Sequence, residues 1–231
     1  MKIVILCGGL GSRLAEVTKL IPKPMVKIGN KPIIDHIINI YKKHGFNDFI
    51  LATGYKNKIL EKYFLNKKNI NCIYTGKNTL TGGRLLRLKN YFKKDENFLL
   101  TYADGLTNQN LNKLVKFHLK HKKIATLTSV KPPARFGELK ITGNRVKSFK
   151  EKPQLQNNWI NGGYFVVEPE FLDLISNDKT VLEEEPLEKA ASMGQLEAYL
   201  HGDFWHCVDT KRDKVSLDDI WKTGAAPWIK R

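Results

Sequence analysis

The sequence predicts an α/β fold: a mixed, mostly parallel sheet flanked by helices, with a smaller strand-rich second lobe. Three observations carry this. Short apolar runs alternate with amphipathic stretches through the first half, at the interval of strand–helix–strand units. The glycine turns and isolated aspartates of that half follow the apolar runs, at the strand ends where ligands of such sheets gather. The second half changes to short strands around Gly-Asn and Gly-Asp turns.

Lys2–Leu6 is the first strand and runs directly into a glycine loop. Pro32 opens a helix with Ile33, Ile37, Ile40 and Tyr41 at helical spacing, and Gly45 ends it. Asp48–Thr53 is a second strand, followed by a helix from Lys56 to Phe64. Ile70–Tyr74 is a third, followed by a helix over Gly82–Phe92 with Leu85, Leu88 and Phe92 on one face. Asn97–Tyr102 is a fourth, ending at Ala103-Asp104-Gly105. A helix over Asn110–His121 and a fifth strand over Ile124–Ser129 complete the first half. Phe136–Ile141 and Arg145–Phe149 flank Gly143-Asn144 as a hairpin, and Trp159–Val167 is a strand carrying Asn161-Gly162-Gly163. Helical segments follow near Phe171–Ile175 and Val181–Met193. Leu196–His201 and Phe204–Val208 read as a closing hairpin around Gly202-Asp203, and a helix from Lys211 to Lys222 precedes Pro227. No repeat or linker interrupts the chain, so one domain is expected over 1–231, with halves meeting near residue 130.

The 231 residues can bury one full core. The opening MKIVILCGG has the look of a signal peptide, but Gly8 and Gly9 cut its apolar run short and no small-residue cleavage site follows. No apolar stretch is long enough to span a bilayer, so a cytoplasmic protein without a membrane partner is expected. Cys7, Cys72 and Cys207 form no CxxC pair and read as reduced thiols outside the chemistry, Cys7 as core. The net charge of +16 is the unusual bulk property. Its lysines are scattered, as at Lys42, Lys43, Lys93, Lys94, Lys122 and Lys123, without interleaved aromatics or an RNA-binding signature. A solvated basic surface with a bias toward polyanionic small molecules is expected, not a nucleic-acid partner.

The chemistry concentrates in a few constellations. In Gly8-Gly9-Leu10-Gly11-Ser12-Arg13-Leu14, glycines let backbone N–H groups approach a phosphate closely. A Walker A loop would need a Lys-Ser/Thr pair, which is absent. A dinucleotide loop would need a third glycine where Leu14 stands and an acidic residue where Thr53-Gly54-Tyr55 stands. What remains is a glycine turn with a cation, Arg13, whose planar fork suits phosphate oxygens. Pro22-Lys23-Pro24 constrains the backbone around Lys23, which suits meeting an anion or merely a stiff loop. Asp104 and Asp209 each follow an apolar strand. Asp-Gly is also an ordinary turn, and Asp209 could be a helix N-cap, yet two such carboxylates could clamp one Mg²⁺. Lys150-Glu151-Lys152-Pro153 and Asn161-Gly162-Gly163 suggest a lysine and an amide facing a ligand, or a strand end and a bulge.

In this order the motifs resemble the sugar-phosphate nucleotidyltransferases, closest to the glucose-1-phosphate cytidylyltransferase branch. The resemblance rests on Gly8–Leu14, Pro22–Val26, Thr81-Gly82-Gly83-Arg84, Tyr102–Gly105, Pro132-Pro133-Ala134-Arg135-Phe136-Gly137, Glu151-Lys152-Pro153 and Ile160–Gly163. It extends through Phe204-Trp205, Asp209–Lys214 and Gly224–Trp228 and covers nearly the whole chain. It implies the Rossmann-like fold of nucleotide-diphospho-sugar transferase type, with nucleotide in the first half and sugar phosphate in the second. It also implies that CMP passes from CTP to a sugar or polyol phosphate, releasing pyrophosphate for a CDP-linked product.

On that resemblance Arg13 and Lys23 are catalytic, Asp104 and Asp209 hold Mg²⁺, and Gly8, Gly9, Gly11, Ser12, Thr81, Gly82, Gly83 and Arg84 frame the nucleotide. Arg135, Gly137, Glu151, Lys152, Asn161 and Gly162 take the phosphorylated acceptor. A homo-oligomer serving surface polysaccharide is implied as well. One departure stands out: the glucose-specific branch carries a longer segment before Thr-Gly-Gly-Arg, where only Thr75–Leu80 stands here. The alternatives are a guanylyl-, uridylyl- or thymidylyltransferase of the same fold and a non-catalytic nucleotide-binding regulator.

Overall fold

The computed structural model describes residues 1–132, 138–150 and 159–229. Arg135, Gly137, Glu151 and Lys152, all expected to take the acceptor, lie outside the described residues.

β1 (Lys2–Cys7) leads through a 3-10 turn at Ser12–Leu14 and the short α1 (Ala15–Thr18) to a second 3-10 turn at Lys23–Met25. β2 (Lys27–Ile28) and β3 (Lys31–Pro32) form a small hairpin ahead of α2 (Ile33–Lys43). Then come β4 (Asp48–Thr53), α3 (Asn57–Phe64), β5 (Ile70–Tyr74) and α4 (Thr81–Leu86). β6 (Phe98–Tyr102), β7 (Gly105–Thr107), α5 (Leu111–His121) and β8 (Ala125–Val130) follow. β9 (Glu138–Thr142) and β10 (Arg145–Lys150) pair as the expected hairpin. The chain closes with β11 (Ile160–Val167), a 3-10 segment at Pro169–Leu174, α6 (Glu185–Ser192), β12 (Leu196–His201), β13 (Trp205–Cys207) and α7 (Lys211–Lys222).

Seven strands form the central sheet in the order β12-β8-β11-β6-β1-β4-β5. β1 is parallel to β4 and β6, β4 to β5, and β8 to β12, while β11 runs antiparallel between β6 and β8. The sheet is therefore mixed and mostly parallel. Strand side chains alternate faces. Ile3, Ile5, Phe49, Leu51 and Leu99 join one buried cluster with α2, α3, α5 and α7. Val4, Leu6, Ile50, Ala52 and Leu100 join the other with α4, α6 and the 3-10 segment. Because both faces are covered, the strands read as near-continuous apolar runs.

Three expectations are corrected. The segments around Gly202-Asp203 do not pair with each other. β12 adds in parallel to the free edge of β8, and β13 pairs antiparallel with β7. The edge of β8 offers β12 a ladder of six residues, against the three of β13, and β7 itself was hidden in what read as an Asp-Gly turn. The helix expected from Val181 begins at Glu185, with Pro186 in its first turn, where its missing N–H costs nothing; inside a helix from Val181 it would break a bond. The helix expected over Gly82–Phe92 stops at Leu86, and a separate 3-10 turn at Lys89–Tyr91 takes up the rest of that segment.

Candidate active site

The glycine loop leaves the carboxyl end of β1 at the middle of the sheet. Gly11 has φ +66, which favours glycine, and the Thr18 methyl group closes off the space a side chain would need. The N–H groups of Gly9, Gly11 and Ser12, residues that line the cavity, find no acceptor among the described residues. The loop is held from behind by its carbonyl. Gly8 O accepts from the Tyr55 N–H at 3.2 Å and from Arg84 Nη2 at 2.9 Å. The Arg84 guanidinium, only 4% exposed, also donates to Thr53 O, Thr75 Oγ1 and Gly76 O. It lies so close to Gly8 that a Cβ there would stand 2.1 Å from its Cζ.

Across the loop, four charged side chains form one network. Lys23 Nζ donates to Asp104 Oδ2 at 2.6 Å and to Asp209 Oδ1 at 2.8 Å, and Arg13 Nη1 donates to Asp209 Oδ2 at 2.6 Å. Burial pushes the Lys23 pKa down, but the two carboxylates outweigh it and hold the ammonium above its ordinary value. Burial likewise raises Asp209, and Lys23 with Arg13 more than reverses this, leaving it below 3.8. Burial and the neighbouring aspartates push the Cys207 thiol up to about 12, so it stays protonated.

Pairing of β7 with β13 builds this network. Cys207 lies opposite Gly105, and the Val208 N–H donates to Asp104 O at 2.9 Å, which sets Asp209 beside Asp104. Asp209 itself is not the helix cap. Thr210 caps α7 in a capping box with Asp213, whose carboxylate also accepts from the Asp209 N–H. The far end of this segment is clasped to the core: Trp221 packs over Gly29, and Trp228 Nε1 donates to His36 Nδ1 at 3.2 Å. Among the described residues no group of three or more His, Cys, Asp or Glu side chains is placed to hold a metal ion. Two carboxylates that leave other positions to phosphate oxygens nevertheless suit Mg²⁺, which takes few protein ligands.

The opposite wall is polar and hydroxyl-rich. Thr81 Oγ1 donates to Glu183 Oε2 at 2.7 Å and accepts from the Leu182 N–H at 2.9 Å. Gly82 and Gly83 turn away from the cavity. Their N–H groups donate to Thr180 O, and a Cβ on Gly83 would strike the Asp178 backbone. Asn161 Nδ2 donates to the Tyr102 hydroxyl at 3.4 Å, and its Oδ1 accepts from the Gly163 N–H at 2.8 Å. Gly162 sits at a bulge in β11, its carbonyl taken by Trp205 Nε1 at 2.7 Å.

One cavity of about 1580 Å³ is lined by Gly8, Gly9, Gly11, Ser12, Arg13, Lys23, Thr81, Arg84, Asp104, Asn161, Gly162 and Asp209. It exceeds the ~300–1,000 Å³ of an ordinary small-molecule site and has room for two substrates. Thus the structure brings the expected residues to one place, except Gly82 and Gly83, which frame it from behind, and the four outside the described residues. It adds Glu183, Trp205 and Lys131 to the lining. Nothing local singles out Glu183 within Glu183-Glu184-Glu185-Pro186, which reads as an acidic first turn of a helix.

The nucleotidyl transferase family model matches residues 2–216. The glucose-1-phosphate cytidylyltransferase of Salmonella typhimurium is 45% identical over 253 residues, covering 99% of this chain and 98% of that protein. The comparison is longer than the 231-residue chain, so that relative carries residues with no counterpart here. Among solved structures, HddC from Yersinia pseudotuberculosis complexed with GMP-PN superposes with a TM-score of 0.76 at 23% identity, covering 95% of this chain and 99% of that one. The inositol-1-phosphate CTP transferase from T. maritima does so with a TM-score of 0.71 at 20% identity, covering 97% of each. At those identities the likeness is one of fold.

Proposed function

The chain belongs to the nucleotidyl transferase family, and we propose that it moves CMP from CTP onto a sugar phosphate, releasing pyrophosphate and forming a CDP-linked product. The observation that carries this is the meeting of Arg13, Lys23, Asp104 and Asp209 at the mouth of a glycine loop whose N–H groups are open. Glucose 1-phosphate is the first acceptor to try, being the one in the name of the 45%-identical relative.

In the reaction, an oxygen of the acceptor's phosphate bonds to the α-phosphorus of CTP. The bond from that phosphorus to the bridging β-phosphate oxygen breaks, and the electron pair leaves with pyrophosphate. No covalent step falls to the protein, so catalysis is positioning and charge neutralisation. In the free protein Arg13 and Lys23 are neutralised by Asp104 and Asp209. An arriving triphosphate takes over the two cations as partners, while the loop N–H groups hold its oxygens. The carboxylates so released would hold Mg²⁺, which supplies further positive charge against the phosphates. Thr81 lines the nucleotide side and Asn161 and Gly162 the acceptor side. Lys152 takes the acceptor's phosphate and Glu151 its hydroxyls, and Arg135 and Gly137 also serve the acceptor.

The protein works in the cytoplasm as a homo-oligomer and supplies CDP-linked sugar for surface polysaccharide; among the described residues no helix is long and apolar enough to cross a membrane. The test is pyrophosphate release with Mg²⁺ from CTP, UTP, GTP or dTTP, each paired with glucose 1-phosphate, other sugar phosphates and a polyol phosphate. CTP with a sugar phosphate should be fastest. No pyrophosphate from any pair overturns the proposal.

A further inference from the structure

The transfer chemistry leaves one carboxylate of the cavity unused. Glu183 lines it, and a hydroxyl fixes it: Thr81 Oγ1 donates at 2.7 Å, with the Tyr102 phenol nearby. Thr81 is itself locked, since its oxygen accepts from the Leu182 N–H. The Tyr102 phenol is largely buried, and burial first, then the Glu183 charge, holds its proton on, so it remains a donor. A carboxylate has about four acceptor positions, so Glu183 has capacity to spare.

The other carboxylates of the lining are committed elsewhere. Asp104 and Asp209 share Lys23, Asp213 belongs to the capping box, and Asp203 accepts from Asn108 and from the Phe204 N–H. Glu183, by contrast, has no ion-pair partner among the described residues. A negative group without a cation repels phosphate. It therefore serves a neutral part of a substrate that carries N–H or O–H donors. Its wall is the one tied to the glycine loop, because Thr81 begins the helix whose Arg84 holds Gly8 O.

We propose that Glu183, aimed by Thr81, reads the nucleotide base, accepting a hydrogen bond from the exocyclic amino group of cytosine. Uracil presents a carbonyl oxygen at that position, which a carboxylate repels. Glu183 is then the specificity-determining residue for CTP over UTP. This rests on the CTP-dependent transfer proposed above.

The experiment compares kcat/KM for CTP and for UTP, at saturating acceptor and Mg²⁺, in the wild type, Glu183→Gln and Glu183→Ala. A Gln amide can turn either its oxygen or its NH₂ to the base, so it loses the distinction. The CTP-to-UTP ratio should fall about ten- to a hundredfold in both variants, the range for one base-reading contact. Thr81→Val, which removes the hydroxyl aiming the carboxylate, should lower the ratio less, and it stands in if the Glu183 variants do not fold. A wild type that prefers CTP, with the ratio intact in every folded variant, overturns the inference alone. A loss seen only as a raised KM for the acceptor also overturns it and moves Glu183 to the acceptor. A wild type with no preference for CTP overturns the proposed function and this inference together.

Discussion

Lys23 shows what one residue can hold together: its ammonium is the shared partner of two carboxylates, and at 16% side-chain exposure it is poorly screened. Replacing Lys23 with Ala should lower turnover by about 10²–10³, the scale of losing one preorganised charge contact. Pyrophosphate release at saturating CTP measures it, and a loss under tenfold removes Lys23 from the mechanism. His118 makes a different prediction, about stability. Burial, with His121 beside it, pushes its pKa from 6.5 down to about 4. Between those values the unfolded chain binds a proton that the folded chain refuses, so stability falls as pH drops from 6.5 to 4 and then levels off. Urea midpoints of the wild type and His118→Gln at pH 7, 5 and 4 should show a shallower decline in the variant. Equal slopes would show that His118 does not titrate in this way. At this scale the sequence was partly legible. Lys23 between prolines and Asp104 after a strand announce themselves through backbone constraint and position. Glu183 does not, because its role depends on a hydroxyl 102 positions away in the chain.

Among the elements, α4 serves the site through its buried face. Its leading glycines let it pack against residues 178–180, and Arg84 reaches back to the glycine loop and the ends of β4 and β5. Arg84→Met would take from Gly76 O its donor, at about 1–3 kcal/mol, and would remove one of the donors that Gly8 O and Thr53 O share. We expect a loss of at least ~2 kcal/mol in urea unfolding and a raised KM for CTP, because the loop loses its tether. Wild-type stability in this variant would contradict the brace. The Thr-Gly-Gly-Arg motif was visible in the sequence. That its arginine faces the protein was not, since a guanidinium serves carbonyls and phosphates equally well. The bounds of the helix over Lys211–Lys222 were legible, but its cap is Thr210 and not the Asp209 that the sequence offered.

For the molecule as a whole, the site lies across the end of the sheet and is built from both halves of the chain, so ligand binding should stabilise all of it. At a hundred times its Kd, CTP with Mg²⁺ adds about 2.7 kcal/mol, which for a chain of this size raises Tm by about 5–10 °C. An unchanged Tm at saturating CTP would contradict a preformed site. By itself the sequence determined the alternating architecture, the glycine loop, and the candidates Arg13, Lys23, Asp104 and Asp209, because periodicity, turn chemistry and strand ends are local properties of a chain. Only the tertiary structure decided that β13 pairs with β7 rather than with β12, and that pairing sets Asp209 beside Asp104. Strand partners are chosen by which edges are open once the sheet has formed, and no short stretch of sequence contains that information.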